Sequence, residues 1–129
     1  MKIVFLAGRV LAGGYYIYSG LNHFLHHSGM AGYAKMKGVP MPEIAVPATG
    51  ALLVIGGLCL LLGYRPWIGV AALTLFLVPV TFVMHDWWAE TDPARSSDLV
   101  NFTKNLALLG SAWMFLKIPT PWPASLKKR

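Results

Sequence analysis

The sequence predicts an all-α integral membrane protein in which four helices cross the bilayer as an antiparallel bundle, with both termini in the cytoplasm. Of its 129 residues, 56% are hydrophobic and 12% are charged, whereas a soluble domain carries about a quarter charged residues. Most of the hydrophobic residues lie in four long apolar stretches, and the charged residues lie mainly between them. At this length we expect a single domain over residues 1–129.

Each apolar stretch is long enough to cross the hydrocarbon layer as a helix, which takes about 20 residues. The predicted spans are residues 3–21, 44–63, 67–84 and 99–118. The first span lies near the N-terminus, but Arg9 interrupts its apolar run and no small-residue cleavage site follows it. We therefore expect this span to be retained and not removed as a signal peptide.

The distribution of basic residues predicts the orientation. With four spans, both termini and the turn at 63–66 share one side, which carries Lys2 and the basic tail 127–129. The opposite side holds the loop 22–42, with Lys35 and Lys37, and the loop 85–98, in which four acidic residues surround Arg95. The positive-inside rule therefore places the termini in the cytoplasm.

Glycines in the first two spans favour close packing of helices, because small residues let membrane helices approach one another. They are Gly8, Gly13, Gly14, Gly20, Gly50, Gly56 and Gly57. The second and third spans are separated only by the turn YRP, which predicts an antiparallel hairpin. A compact four-helix bundle satisfies both features.

Several classes of function are disfavoured by composition. The net charge is +6, but the basic residues are scattered and form no stripe, so we expect no nucleic-acid partner. The basic end is typical of contact with anionic lipid. Cys59 is the only cysteine, which excludes a thiol oxidoreductase working through its own CxxC pair. No autonomous catalytic motif stands in the spans, so any enzymatic role is at most that of an oxidoreductase subunit.

A polar stripe runs along the first predicted helix. On a continuous helix, six residues point within about 40° of one direction: Arg9, Gly13, Tyr16, Gly20, His23 and His27. The last predicted helix has a similar stripe, flanked by Lys104: Asn101, Asn105, Leu108 and Ala112. Both stripes should face the protein interior, because a charged side chain at the bilayer centre costs about 2.5 to 3.5 kcal/mol.

These two stripes predict an intramembrane ligand-binding pocket. Its candidate residues are Arg9, Tyr16, His23, His85, Lys104 and Asn105. Two interpretations of Arg9 stay open: its side chain extends to the inner headgroups, or it binds a quinone carbonyl, an anionic head group or a partner's carboxylate. Lys104 either forms a boundary ion pair with Asp86 or polarises a ligand oxygen, while Asn105 donates a hydrogen bond.

The histidines admit several interpretations. A metal ion would recruit His23, His27, His85 and Asp86, and a haem would use His23 and His85. Metal and haem are both disfavoured, because HxxHH is not a recognised metal motif. The histidines otherwise hydrogen-bond or relay protons to a quinone head group, or stay unliganded at the membrane boundary. The loop 27–42 is either a lid over the pocket or an interfacial segment.

The chain resembles the DoxX/DoxD-like family of small four-span bacterial membrane proteins. The resemblance rests on GRVLAGGYYIYSGLNH, KGVP, GGLCLLLGYRP, TFVMHDWW and FTKNLALLG, in that order. It implies a multi-pass protein of the bacterial cytoplasmic (inner) membrane. Some relatives are subunits of a thiosulfate:quinone oxidoreductase, and others associate with redox enzymes. Where members often carry a glutamate in the second span, this chain has Leu53.

The sequence therefore predicts a subunit or accessory of a quinone-linked redox or respiratory system with a polar intramembrane pocket. The alternative is a non-catalytic membrane scaffold that recruits partner proteins through its outer loops. Either function implies contact with the lipid bilayer, and a protein partner or a homo-oligomer. The expected small molecule is a quinone.

Overall fold

The computed structural model describes residues 1–126, which form helices and connecting loops without a β-strand. The five α-helices are α1 Lys2–Leu25, α2 His27–Met36, α3 Pro42–Leu62, α4 Pro66–Met84 and α5 Ala94–Met114. Short 3-10 helices follow α4 and α5, at Trp87–Ala89 and Phe115–Lys117. The all-α prediction is confirmed for the described residues. The basic tail 127–129, which the orientation argument used, lies outside them.

The ends of α3 and α4 follow from local sequence. Each begins with a proline, Pro42 or Pro66, at the helical position where a missing N–H costs nothing. The residue that caps the C-terminus of α3 is Gly63, whose φ of 63° favours glycine. A Cβ at Gly63 would also lie only 2.7 Å from Nη2 of Arg9. Two separate constraints therefore require glycine at this turn.

Two helices are long and apolar enough to cross a membrane, Pro42–Leu62 and Pro66–Ala89. In each, 33% of the most apolar window is buried within the protein. The core helix of a soluble protein would bury most of such a window, so these apolar side chains need an apolar environment outside the chain. Within residues 1–126, α1 and α5 do not meet the same criterion. Four crossings therefore stay a prediction.

The most extensive helix contact joins α1 and α3 through paired glycines. A Cβ at Gly13 would lie 2.8 Å from the carbonyl oxygen of Gly57, and one at Gly20 would lie 2.7 Å from that of Gly50. Both distances are too short for a real side chain. Because contacts descend along α3 as they ascend along α1, the two helices are antiparallel.

The remaining helices pack on α3 or on α4. At Gly56 a Cβ would lie 2.5 Å from Leu73, so α4 also packs closely on α3. Helix α5 packs on α4, where the indole N–H of Trp113 donates to the hydroxyl of Thr74 at 3.0 Å. Helix α2 packs on α3 through a small apolar cluster. Each of α1, α4 and α2 therefore rests on α3, and α5 is held by α4.

The predicted stripe on the first helix is the buried face of α1, with one exception. The buried residues are Arg9, Gly13, Tyr16, Gly20 and His23. Inclusion of His27 was wrong, because the prediction assumed one continuous helix. The α-helix ends at Leu25, and His26 has a φ of −116° and a ψ of 33°. His27 therefore begins α2, with Nε2 2.9 Å from the carbonyl oxygen of Glu43.

Gly13→Ala is expected to lower the free energy of unfolding by about 1 to 3 kcal/mol, because its methyl group would overlap the α3 backbone. Gly14→Ala is the matched control, since a Cβ there meets nothing within 4 Å. It should leave stability unchanged or raise it slightly, because alanine favours the helix over glycine by about 1 kcal/mol. Thermal unfolding in one detergent tests both variants. Equal midpoints for the two would contradict the contact.

Candidate ligand-binding cavity

A cavity of about 590 Å³ lies among the second half of α1, α2, the start of α3, the second half of α4, and α5. Its walls are mostly apolar and include Phe76, Val80 and Val83 of α4. Polar side chains are few and come from separate elements: Tyr15, Ser19, His23, Tyr33, Thr49, His85, Lys104 and Asn105. Apolar walls with a few convergent polar groups are typical of a small-molecule site, and the volume is in the usual range.

Four of the six predicted pocket residues line this cavity: His23, His85, Lys104 and Asn105. Tyr16 lies instead in the hydrophobic core, where it is 3% exposed and packs with Leu53. Arg9 lies at the other end of the α1–α3 contact. The sequence did not single out Tyr15 of α1 and Thr49 of α3, which also line the cavity.

Arg9 is fully buried and binds backbone carbonyl groups. Its Nε donates to the carbonyl of Leu60 at 3.1 Å, and its Nη2 donates to that of Leu61 at 2.8 Å. Its Nη1 donates to the carbonyl of Pro123, and the Trp122 ring lies 5.3 Å from the guanidinium carbon. Carbonyls at a helix C-terminus lack helical partners and carry partial negative charge. Arg9 therefore caps α3 and fixes the C-terminal segment, and its partners are backbone carbonyls and not a ligand in the cavity.

His23 joins α1 to the first turns of α3. Its Nδ1 lies 3.1 Å from the carbonyl oxygen of Val46 and 3.1 Å from the hydroxyl oxygen of Thr49. Its ring packs edge-on against Phe76, with ring centroids 5.7 Å apart. Only 9% of the residue is exposed. The imidazole is thus held in one orientation, and within residues 1–126 its Nε2 has no hydrogen-bond partner.

Asn105 is the most enclosed polar residue on the α5 side of the cavity, with 6% of it exposed. Within residues 1–126 its side-chain amide makes no hydrogen bond, although it lines the cavity. Its polar atoms are not among the fully buried, unpaired atoms of the described residues, so the amide is open to the cavity and free to bond a ligand. Lys104 is exposed, and its ammonium donates to the side-chain oxygen of Asn101 at 3.2 Å. The two residues therefore present different hydrogen-bonding groups to one space.

Lys37 forms an ion cluster at the end of the cavity. Its ammonium lies 2.5 Å from Asp86, 2.7 Å from Glu90 and 2.9 Å from Asp98. Burial alone would lower the pKa of Lys37, but the three carboxylates raise it above its ordinary value. Nδ1 of His85 donates to Asp98 at 3.2 Å and extends the cluster to the cavity wall. The cluster therefore ties the segment after α2 to the start of α5.

This cluster corrects the predicted ion pair between Lys104 and Asp86, because Asp86 binds Lys37 instead. Sequence reasoning did not select Lys37. A usable signal was present, since four of the five acidic residues of the chain lie between positions 86 and 98. Such a concentration of carboxylates needs a nearby cation. Which cation binds these carboxylates depends on how the helices pack, and the sequence pattern does not give that packing.

The structure gives the four weak metal candidates different partners. His23 binds α3, His27 lies beside Glu43, His85 binds Asp98, and Asp86 binds Lys37. In the described part of the chain, the one group with metal-like spacing is the carboxylate set of the Lys37 cluster, whose oxygens lie within 4.8 Å of one another. The ammonium of Lys37 already contacts all three carboxylates. The chain therefore supplies its own cation there.

Comparison with known proteins finds one family and one relative over most of the chain. The model of the DoxX family matches residues 4–86, which include α1 to α4, Lys37 and His85. The inner membrane protein YphA of Escherichia coli (strain K12) is 28% identical over 130 residues, covering 98% of this chain and 90% of that protein. No solved structure matches the chain significantly. The likeness to YphA therefore extends over α5 as well as the matched region.

Lys37→Met is expected to lower the free energy of unfolding by about 3 to 5 kcal/mol, because it leaves three neighbouring carboxylates without a cation. Lys35→Met is the control, since Lys35 is exposed on the same helix. It should change stability little. Thermal unfolding near neutral pH measures both, and equal midpoints would show that the cluster contributes nothing.

Lowering the pH should change the stability of Lys37→Met and of the wild type in opposite directions. Asp98 lies just before the predicted fourth span. Burial alone would raise its pKa, but Lys37 and His85 hold that pKa below its ordinary value of 3.8. Its contribution to stability is therefore complete above that value and is lost as the pH falls through the lowered pKa. In Lys37→Met, protonation relieves repulsion, so stability should rise on acidification.

Arg9→Met is expected to lower the free energy of unfolding by at least about 2 kcal/mol, because the capped carbonyls lose their donor. The bond between Lys117 and Ile118 should also become accessible to trypsin. Arg65→Met, at an exposed turn residue, is the control and should leave that bond as resistant as in the wild type. Limited proteolysis and thermal unfolding measure the two effects. A Lys117–Ile118 bond that is cut no faster in Arg9→Met would contradict the role of the guanidinium.

Proposed function

The chain belongs to the DoxX family, and on that premise we propose that it holds a quinone in the cavity and serves as a subunit or accessory of a quinone-linked redox system. The proposal includes four membrane crossings in the bacterial inner membrane, with cytoplasmic termini. YphA, to which the chain is similar over almost its full length, is named an inner membrane protein.

The helix geometry supports four crossings. Helices α1 and α5 have 24 and 21 residues, long enough for roughly 30 Å of hydrocarbon. Each packs against an apolar helix, α1 on α3 and α5 on α4. The charges of α1 do not oppose insertion, because Arg9 is enclosed and bonded to backbone carbonyls. With four crossings, the positive-inside rule gives cytoplasmic termini.

The unsatisfied amide of Asn105 in an otherwise apolar cavity is the observation that carries the quinone proposal. A quinone combines an apolar ring and tail with two ring oxygens, which is the distribution of polarity that the cavity presents. Asn105 and Lys104 supply donors for a ring oxygen on the α5 side, and His23 faces the cavity from α1. The aliphatic and aromatic walls from α4 would contact the ring and the tail.

The cavity residues bind and orient a ligand, since amide, ammonium and imidazole groups do not carry electrons. Cys59, the only thiol, does not line the cavity. Electron transfer to a bound quinone would therefore use a redox centre on a partner protein. This division of roles is what an accessory subunit provides.

The scaffold alternative is favoured by one observation. Trp88, in the loop between α4 and α5, is 54% exposed. Its ring makes edge-to-face contacts with the rings of Trp87 and Phe102. An exposed indole on an aromatic base is a common anchor of protein interfaces. As a scaffold, the protein would recruit its partner through this loop without a small molecule.

Wild-type protein purified in mild detergent is expected to carry a quinone, detected by solvent extraction and mass spectrometry. Asn105→Leu should reduce the bound quinone by about tenfold or more, because it removes the one side-chain amide that lines the cavity among residues 1–126. Asn101→Leu is the control on the same helix, since Asn101 does not line the cavity. It should keep the ligand.

Two outcomes would contradict the proposal. One is wild-type protein without any quinone, and the other is full occupancy in a folded Asn105→Leu variant. A stoichiometric protein partner without a small molecule, lost in Trp88→Ala, would favour the scaffold.

A further inference from the structure

The position of the proton on His23 follows from its neighbours. Nδ1 lies 3.1 Å from the carbonyl oxygen of Val46, which can only accept a hydrogen bond. The Thr49 hydroxyl lies 2.8 Å and 2.9 Å from the carbonyl oxygens of Ala45 and Val46, and donates its proton to one of them. Its oxygen therefore accepts from His23. Both neighbours need a donor, so Nδ1 carries the proton.

The second nitrogen of His23 is consequently an acceptor. Within residues 1–126 no carboxylate lies within ion-pair distance of His23, so nothing compensates a buried imidazolium and the ring is neutral. A neutral imidazole protonated at Nδ1 has only a lone pair at Nε2. That lone pair has no hydrogen-bond partner in the described residues, although only 9% of His23 is exposed.

His85 repeats the arrangement on the opposite wall. Its Nδ1 donates to the carboxylate of Asp98 at 3.2 Å, which leaves Nε2 as the free nitrogen. In the neutral ring this nitrogen is again an acceptor. Asn105 can match either kind of ligand atom, because its amide both donates and accepts. The two imidazoles therefore place acceptor nitrogens on the α1 side and at the end of α4, whereas Lys104 places a donor on the α5 side.

We infer that the cavity selects an amphiphile whose ring bears a hydroxyl group, which within the proposed function means the reduced quinol over the oxidised quinone. A ring hydroxyl donates to Nε2 of His23, whereas a ring carbonyl would set one lone pair against another. The inference rests on the proposed function for the identity of the ligand. Preference for a hydroxyl itself depends only on the two tautomers and the enclosed position of His23.

The preference has a measurable consequence for a bound quinone. Tighter binding of the quinol stabilises the reduced form and raises the midpoint potential of the bound pair. A tenfold preference corresponds to about 30 mV for a two-electron couple. Protein with native quinone should therefore show a higher midpoint than the same quinone in empty detergent micelles.

The direct test compares two probes of equal shape with purified full-length protein: a para-alkylphenol and its methyl ether. The phenol is expected to bind about tenfold to a hundredfold more tightly, because only the hydroxyl satisfies the enclosed Nε2. Equal affinity would overturn the inference and leave the proposed quinone site intact. Absence of binding by both probes, together with no co-purified quinone, would defeat the proposed function itself.

Variants at His23 assign the effect. His23→Phe keeps the ring volume without a nitrogen, so the phenol and its ether should bind equally. His23→Gln keeps an oxygen acceptor and should retain part of the preference. His26→Phe is the control, because His26 is exposed and does not line the cavity. A folded His23→Phe that still prefers the phenol would overturn the role of this imidazole.

Discussion

The glycine contact between α1 and α3 is the constraint on which the rest of the structure depends. Gly13 against Gly57 and Gly20 against Gly50 allow the two backbones to touch, and they set the register of one helix on the other. That register brings Arg9 to the last carbonyls of α3 at one end and His23 to its first turns at the other. One backbone contact thus positions both a structural group and a ligand-facing group.

Two buried cations stabilise the two ends of the molecule by different means. Within residues 1–126 Arg9 has no carboxylate near it and uses backbone carbonyls, which suit a guanidinium because its donors are spread over a planar fork. Lys37 has a compact ammonium and takes three carboxylates instead. The first arrangement holds the C-terminal segment, and the second holds the segment after α2. Neither cation lines the cavity, so structural charge and ligand chemistry are separated.

The cavity owes its chemistry to that separation. Lys37 binds Asp86, Glu90 and Asp98. Among the described residues, none of these three carboxylates lines the cavity. What lines it is an apolar wall with two oriented imidazoles, an amide and an exposed ammonium. Such a set suits an uncharged ring with oxygen substituents and an apolar tail. Leu53 is 1% exposed and lies in the hydrophobic core, so the interior beside Tyr16 is apolar as well.

Composition and periodicity were sufficient for the all-α class, for the buried face of α1 as far as His23, and for five of the seven glycines of close approach, because each is a property of one segment and its helical period. The prediction was wrong for Gly8 and Gly14, where a Cβ would meet nothing within 4 Å. They also led to His23, His85, Lys104 and Asn105, whose polarity stands out among apolar neighbours. The partner of Arg9, the break at His26 and the Lys37 cluster depended on the tertiary structure. The contacts of Arg9 and Lys37 join residues far apart in the chain, and only packing decides which distant carbonyl or carboxylate a cation meets. The break at His26 is local, but it lets α2 pack on α3.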